Sequence, residues 1–274
     1  MFRRSSLTLS SALAVLCVAA CSSATPDPEP ITPEPAATNE PATDAPPAPE
    51  PGFRRASDAG SPDASADADA GADPNAALVA QVMARLQTCT KVSKSDLRTD
   101  KNAAPSVPVC GLTGAVFYHA DMDIVCDGKP SAQCNAQTDP WFQAQSAAKD
   151  SKGEYLDAAQ LPFIVLPIPS EARFDYKAAG IKLGSVAMVI YKGQYAFGIL
   201  GDIGPTEIIG EASYAMAKKL GINPDPKVGG TPSGVTYVVF TGPTGVVKKN
   251  EDQAETAKVA MSRVQEMLAA NPAK

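Results

Sequence analysis

From residue 76 onward, apolar positions recur in two rhythms. Leu78, Val79, Val82, Met83 and Leu86 fall three or four residues apart behind Asp73-Pro74-Asn75, which predicts an amphipathic helix over residues 76–88. Further along, residues 115–118, 122–126, 161–167, 185–191, 195–200 and 235–240 are short runs rich in Val, Ile, Phe and Tyr, bounded by Gly, Pro or Asp. They predict strands, and Tyr191-Lys192-Gly193-Gln194-Tyr195 predicts a hairpin with glycine in its turn. Residues 213–220 predict a two-turn helix ending at Gly221. Residues 251–270 predict a longer one with Ala257, Ala260, Met261, Val264, Met267 and Leu268 on one face. The sum is a mainly β fold, a small barrel with peripheral helices, over residues 76–274.

The rhythm is absent before residue 76. Residues 22–75 are Pro, Ala, Asp, Glu and Ser with almost no large apolar side chain. Such a segment cannot bury enough surface to offset its ordering entropy, so it reads as a disordered tether. Its first half is stiff with Pro-Glu and Pro-Ala-Pro steps, and residues 64–72 are looser. Residues 1–21 pair Arg3-Arg4 with an apolar run from Leu13 to Ala20, too short for a mature membrane span and suited to a signal peptide. Its end, Val18-Ala19-Ala20-Cys21, resembles a bacterial lipobox. That resemblance implies a lipid anchor on Cys21 and, with Ser22 following, an outer-membrane lipoprotein facing the periplasm or the cell surface.

Charge divides at the same boundary. The chain carries a formal net charge of −6, and residues 1–75 hold four arginines against eleven Asp and Glu. The rest is close to neutral, so the acidity belongs to the tether and predicts neither an acidic cleft nor nucleic acid as a partner. Beyond Cys17 and Cys21 there are four cysteines, Cys89, Cys110, Cys126 and Cys134, an even number that in an exported domain predicts two disulfides. Of the three pairings, Cys89 with Cys110 and Cys126 with Cys134 close the shortest loops. With one histidine, His119, and no Cys-x-x-Cys spacing, neither a metal site nor any other cofactor is expected.

The candidate chemistry lies in residues 198–213, Gly-Ile-Leu-Gly-Asp202-Ile-Gly-Pro-Thr-Glu207-Ile-Ile-Gly-Glu211-Ala-Ser. An apolar strand runs into a Gly-Pro turn and a helix start, placing Asp202 and Glu211 at a barrel rim. Cleavage of a glycosidic bond needs one protonated and one ionised carboxyl group, about 6.5 to 9.5 Å apart when a water attacks directly. The same pattern also suits a loop acid with a helix N-terminal partner. His119 is the only histidine available for a Ser-His or Cys-His nucleophile, and it reads as a strand residue that packs or hydrogen-bonds.

The run from Tyr118 to Gly128, then Asp139-Pro140-Trp141-Phe142-Gln143, Leu161 to Val165, Gly201-Asp202 to Gly210-Glu211-Ala212-Ser213 and Gly234 to Gly242 resembles, block by block and in order, the chitosanases of glycoside hydrolase family 75. The resemblance implies endo-acting, inverting hydrolysis of β-1,4-linked glucosamine chains, with Glu211 as general acid and Asp202 as general base. Val125 stands where this family often has another acid. Asp121, Asp123, Asp157, Asp175 and Glu207 are candidates to pair with glucosamine ammonium groups, and equally suit solvated turns. Trp141, the only tryptophan, is a candidate stacking surface for a sugar or a core residue. Asp202-Ile203-Gly204-Pro205 with Glu211 to Gly221 also resembles the six-stranded double-psi β-barrel family that includes rare lipoprotein A, which implies that barrel type. The expected protein is thus a monomeric, lipid-anchored enzyme whose partner is chitosan. A lytic transglycosylase and a non-catalytic glycan-binding barrel are the alternatives.

Overall fold

The computed structural model describes residues 74–272, so the expectations for the signal segment, Cys21 and nearly all of the tether lie outside the described residues. The first helix, α1, spans Pro74–Arg85. Eight strands follow: β1 (Thr90–Lys91), β2 (Cys110–Leu112), β3 (Ala115–Val125), β4 (Phe163–Pro167), β5 (Val186–Tyr191), β6 (Gln194–Gly204), β7 (Glu211–Ser213) and β8 (Thr231–Phe240). Helix α2 (Tyr214–Lys219) lies between β7 and β8, and α3 (Gln253–Ala270) closes the chain. No helix among the described residues is long and apolar enough to cross a membrane.

Six strands close on themselves in the order β3-β7-β4-β6-β5-β8 and back to β3, with the β1-β2 pair extending β3. Two neighbouring pairs, β3 with β7 and β4 with β6, run parallel. The others around the ring run antiparallel. Closure removes the exposed edges that an open sheet would leave.

The strands read as continuous apolar runs because both faces are covered. Tyr118, Met122, Ile164, Leu166, Leu200, Tyr237 and Val239 fill the barrel. Their neighbours Phe117, Phe163, Met188, Val238 and Phe240 point outward into a second core with Val79 and Val82 of α1 and Val264 and Met267 of α3. Inside, the Tyr118 and Tyr237 rings stack with centroids 4.7 Å apart.

The predicted hairpin is β5-β6, turning at Lys192-Gly193. The two segments at 115–118 and 122–126 are one strand, β3, whose register against β8 shifts between Ala120 and Met122. The extra residues lie on β8, where Pro232-Ser233-Gly234 stand opposite Asp121 alone, while Val116, Tyr118, Ala120 and Met122 keep alternation on β3. The polar His119 and Asp121 are what interrupt the apolar run in the sequence. Residues 211–213 form β7, so Glu211 stands on a strand rather than at a helix start. Three residues are too few to show a period. Helix α2 begins one residue after Ser213, whose Oγ caps it by accepting from the Met216 amide at 3.2 Å.

The disulfides are Cys89–Cys110 and Cys126–Cys134. The second closes a loop with a sequence separation of 8, for which chain entropy gives about 2.5 kcal/mol. Replacing both Cys126 and Cys134 by Ser is expected to lower unfolding free energy in urea by about that amount. An unchanged midpoint would show that the loop is held by its packing alone.

Candidate active site

The position of each acid follows from strand register. Asp123 of β3 is paired with Glu211 of β7. Ala212 pairs antiparallel with Ile164 of β4, which sets Glu211 beside Val165. Val165 pairs in turn with Asp202 of β6. Asp123, Glu211, Val165 and Asp202 therefore form one row across four adjacent strands, with side chains on the barrel's outer face.

Asp202 joins the row only because the β4-β6 register slips between Ile164 and Val165. Leu200 points into the barrel, and strict alternation would point Asp202 inward as well. The additional residue, Gly201, turns it outward, which is what a bulge beside a functional site does. With strands about 4.8 Å apart, the Asp202 and Glu211 backbones stand about 9.6 Å apart across Val165, and no hydrogen bond joins their carboxylates among the described residues.

Each carboxylate is held differently. Asp202 is only 8% exposed, and its Oδ1 accepts the Ala147 and Ile203 amides, both at 2.8 Å. Oδ2 accepts no hydrogen bond among the described residues. Burial holds the Asp202 pKa above its ordinary value, and those two amides offset part of that rise. Glu211 is half-buried and receives no hydrogen bond among the described residues. Burial first, and then the charges of Asp123, Asp202 and Asp127, push it up to about 7. Gly204 makes room for it, because a Cβ there would lie 2.6 Å from Glu211 Oε2. Below β7, Ser213 Oγ donates to the Leu161 carbonyl at 2.8 Å and accepts the Phe163 amide at 3.0 Å, locking β7 onto β4.

The row forms the floor of a cleft of about 580 Å³. One wall is the loop after Cys126. In it Asp127 Oδ1 accepts the Gln143 amide at 2.7 Å, and Asp139 Oδ1 accepts the Trp141 amide at 2.8 Å. Trp141 is 84% exposed on the cleft's rim and is not core packing. The facing wall is residues 226–229, from which Lys227 Nζ reaches the Gln137 carbonyl at 2.8 Å. Of the four exposed large apolar side chains among the described residues, Trp141 and Ile168 line this cleft and Val228 adjoins it. A second hollow of about 500 Å³ between β6 and α3, lined by Tyr195 and Phe197, contains no carboxylate side chain.

The cleft thus gathers Asp123, Trp141, Asp202 and Glu211. Asp121 lies in an adjoining pocket that shares Asp123. The remaining candidates stand elsewhere. Asp157 Oδ1 accepts the Ala159 amide at 3.0 Å within a turn, and Asp175 Oδ1 accepts those of Lys177 and Ala178 at 2.9 and 3.2 Å. Glu207 is bridged by Arg98 at 3.0 Å and by Arg173, so its charge is already answered. Asp127, Asp139, Gln143 and Lys227 are cleft residues that local sequence pattern did not select. The Asp139-Pro-Trp141 motif held the clue for one of them, as an Asp capping its own turn beside an aromatic. His119 pairs with Thr236 through a 2.9 Å contact from Nδ1, away from the cleft.

A family model described as fungal chitosanase of glycosyl hydrolase group 75 matches residues 122–271. An endo-chitosanase of Aspergillus fumigatus is 30% identical over 172 residues, 58% of this chain and 72% of that protein. An endo-chitosanase of Aspergillus oryzae is likewise 30% identical over 166 residues, 54% of this chain and 68% of its own length. Endo-chitosanase C of Aspergillus oryzae is 34% identical over 147 residues. There the match spans only about a third of the relative, 36% of its length, and half of this chain.

Proposed function

This chain belongs to glycoside hydrolase family 75, and from that premise we propose that it is an endo-chitosanase that hydrolyses β-1,4 bonds between glucosamine units with inversion, Glu211 acting as general acid and Asp202 as general base. One observation carries the reading. Two carboxylates of unlike environment flank Val165 on a single row, their backbones two strand spacings apart, an arrangement that suits a water held between them.

Glu211, pushed up to about 7, holds its proton at neutral pH and delivers it to the departing glycosidic oxygen. Asp202, anchored by two amides, is the ionised partner whose Oδ2 takes a proton from the attacking water. The water oxygen bonds to the anomeric carbon as the C–O bond to the leaving sugar breaks. Trp141 and Ile168 supply apolar surface for sugar faces at the rim. The parallel pairs β3-β7 and β4-β6 support reading the barrel as double-psi. Export with a lipid anchor at Cys21 belongs to the same proposal. Two disulfides suit an oxidising compartment.

The stereochemical test is proton NMR of products in the first minutes of digestion of a glucosamine oligomer. The α anomer is expected first, and the β anomer appearing first would replace inversion by a covalent route.

The pH profile follows from the acid. kcat/KM should fall as pH rises through about 7, where Glu211 loses its proton. Asp123 is the largest charge holding Glu211 up, so Asp123→Asn should move this alkaline limb to lower pH. A limb that stays in place would assign it to another group.

A further inference from the structure

Beside the cleft lies a smaller pocket of about 290 Å³ lined by Thr99, Asp100, Asp121, Asp123 and residues 229–232. Asp121 is its distinctive member. It is 5% exposed, and its Oδ1 is buried with no hydrogen-bond partner. The carboxylate is pressed close to the chain, since a Cβ on Gly210 would lie 2.0 Å from Oδ1. Tyr237 Oη holds the backbone beneath it by donating to the Asp121 carbonyl at 2.8 Å and the Gly210 carbonyl at 3.2 Å, and residues 232–234 of β8 stand opposite Asp121 as extra residues in the ladder. Asp100 and Asp123 add like charge, and no Lys or Arg among the described residues bridges any of the three. Leaving a buried acceptor without a partner is unfavourable, and the two neighbouring carboxylates add to that penalty. The arrangement is stable against a cation with donors to spare.

We propose that the Asp100–Asp121–Asp123 pocket is a subsite for the primary ammonium of one amino-sugar unit, and that it decides which bonds of a partly acetylated chain are cut. The inference rests on the chitosanase reading and names its specificity element. An ammonium offers three donors, one for the Asp121 carboxylate and others for Asp123 and Asp100. An acetamide at the same position brings a single N–H and no charge, leaves Asp100 and Asp123 uncompensated and Asp121 short of donors, and is rejected because unpaired polar groups are left behind. Metal is a poorer occupant, since no Asp, Glu, His or Cys group among the described residues has the geometry to hold one. Asp123 belongs to both this pocket and the catalytic row, which ties the recognised amine to a fixed distance from the bond that breaks.

Proton linkage gives a signature that mere scaffolding lacks. In the empty site burial and the charges of Asp123 and Asp100 push Asp121 up to about 8, so near neutral pH it carries a proton. An arriving ammonium favours the ionised form, and binding should release that proton to buffer.

The test compares wild type, Asp121→Asn and Asp100→Asn on partly acetylated chitosan, with the new chain ends sequenced by mass spectrometry. Wild type should show glucosamine at one fixed position from every cut. Asp121→Asn should lose that preference and lose about 10- to 100-fold in kcat/KM on fully deacetylated chitosan. Asp100, on an exposed loop, gives a smaller loss in the same direction and guards against misfolding of the buried variant. Calorimetry with glucosamine tetramer in two buffers of different ionisation enthalpy should detect proton release by wild type, none by Asp121→Asn, and none with N-acetylglucosamine tetramer. Unchanged end selectivity in both variants would overturn the subsite while leaving the chitosanase reading intact. If wild type cuts no chitosan, the chitosanase reading fails by itself. The calorimetric arm then decides the subsite alone: equal tetramer binding by wild type and Asp121→Asn refutes it.

Discussion

Glu211→Gln is expected to lower kcat on chitosan by about 10³-fold or more, while leaving the fold at least as stable. The substitution keeps shape and removes the transferable proton. Glu211 has no hydrogen bond to lose among the described residues, and its neighbours are acids: Asp123 across the β3-β7 pair, then Asp202 and Asp127. The sign of the stability change follows from its raised pKa. A carboxyl group whose folded pKa lies above its unfolded value costs stability as pH rises from the unfolded value to the folded one, and the loss is complete above the folded value. Glu211 rises from 4.5 to about 7, so the advantage of the variant in melting temperature should be absent below the lower value, grow between the two and level off above the higher one. Loss of activity with unchanged or raised melting temperature is the pattern of an acid kept at a functional site against its electrostatic interest. A fall in melting temperature would instead make Glu211 structural.

The second large effect needs no change to either carboxyl group. Gly204→Ala is expected to cost about 10²-fold in kcat through displacement of Glu211 alone. The new methyl would lie 2.6 Å from Glu211 Oε2 and 3.2 Å from a Val165 methyl. Glu211 is free to swing, so the clash is relieved by moving the carboxylate off the row rather than by breaking β6. Circular dichroism and melting should match wild type, and KM should change less than kcat. Wild-type turnover in this variant would show that the position of Glu211 above Gly204 is not the reactive one.

The legible part of this protein is the part written in local periodicity. The strands that form the ring announced themselves as apolar runs because helices cover their outer faces as barrel packing fills the inner ones, and Phe117 beside Tyr118 shows both demands in one dipeptide. The disulfides followed from loop length. What stayed hidden was register. The extra Gly201 on β6 breaks alternation by one residue and decides that Asp202 joins the row of Glu211, and the extra residues 232–234 on β8 open the β3-β8 ladder opposite Asp121. Three-residue β7 carries no pattern from which its pairing with β3 could be read. Acidic character alone nominates Asp157, Asp175 and Glu207, yet their own turns and two arginines claim them. Asp127, Asp139 and Gln143 reach the cleft through the loop that Cys126–Cys134 begins, a tertiary placement no window of sequence contains.

The central claim, that this row of carboxylates hydrolyses chains of glucosamine, is tested most directly by incubating the protein in parallel with chitosan, chitin and peptidoglycan and analysing products by reducing-sugar release and mass spectrometry. Glucosamine oligomers from chitosan, absent with Glu211→Gln and Asp202→Asn, are the predicted result. Anhydro-muropeptides from peptidoglycan with chitosan untouched, or binding without products on all three, would contradict it.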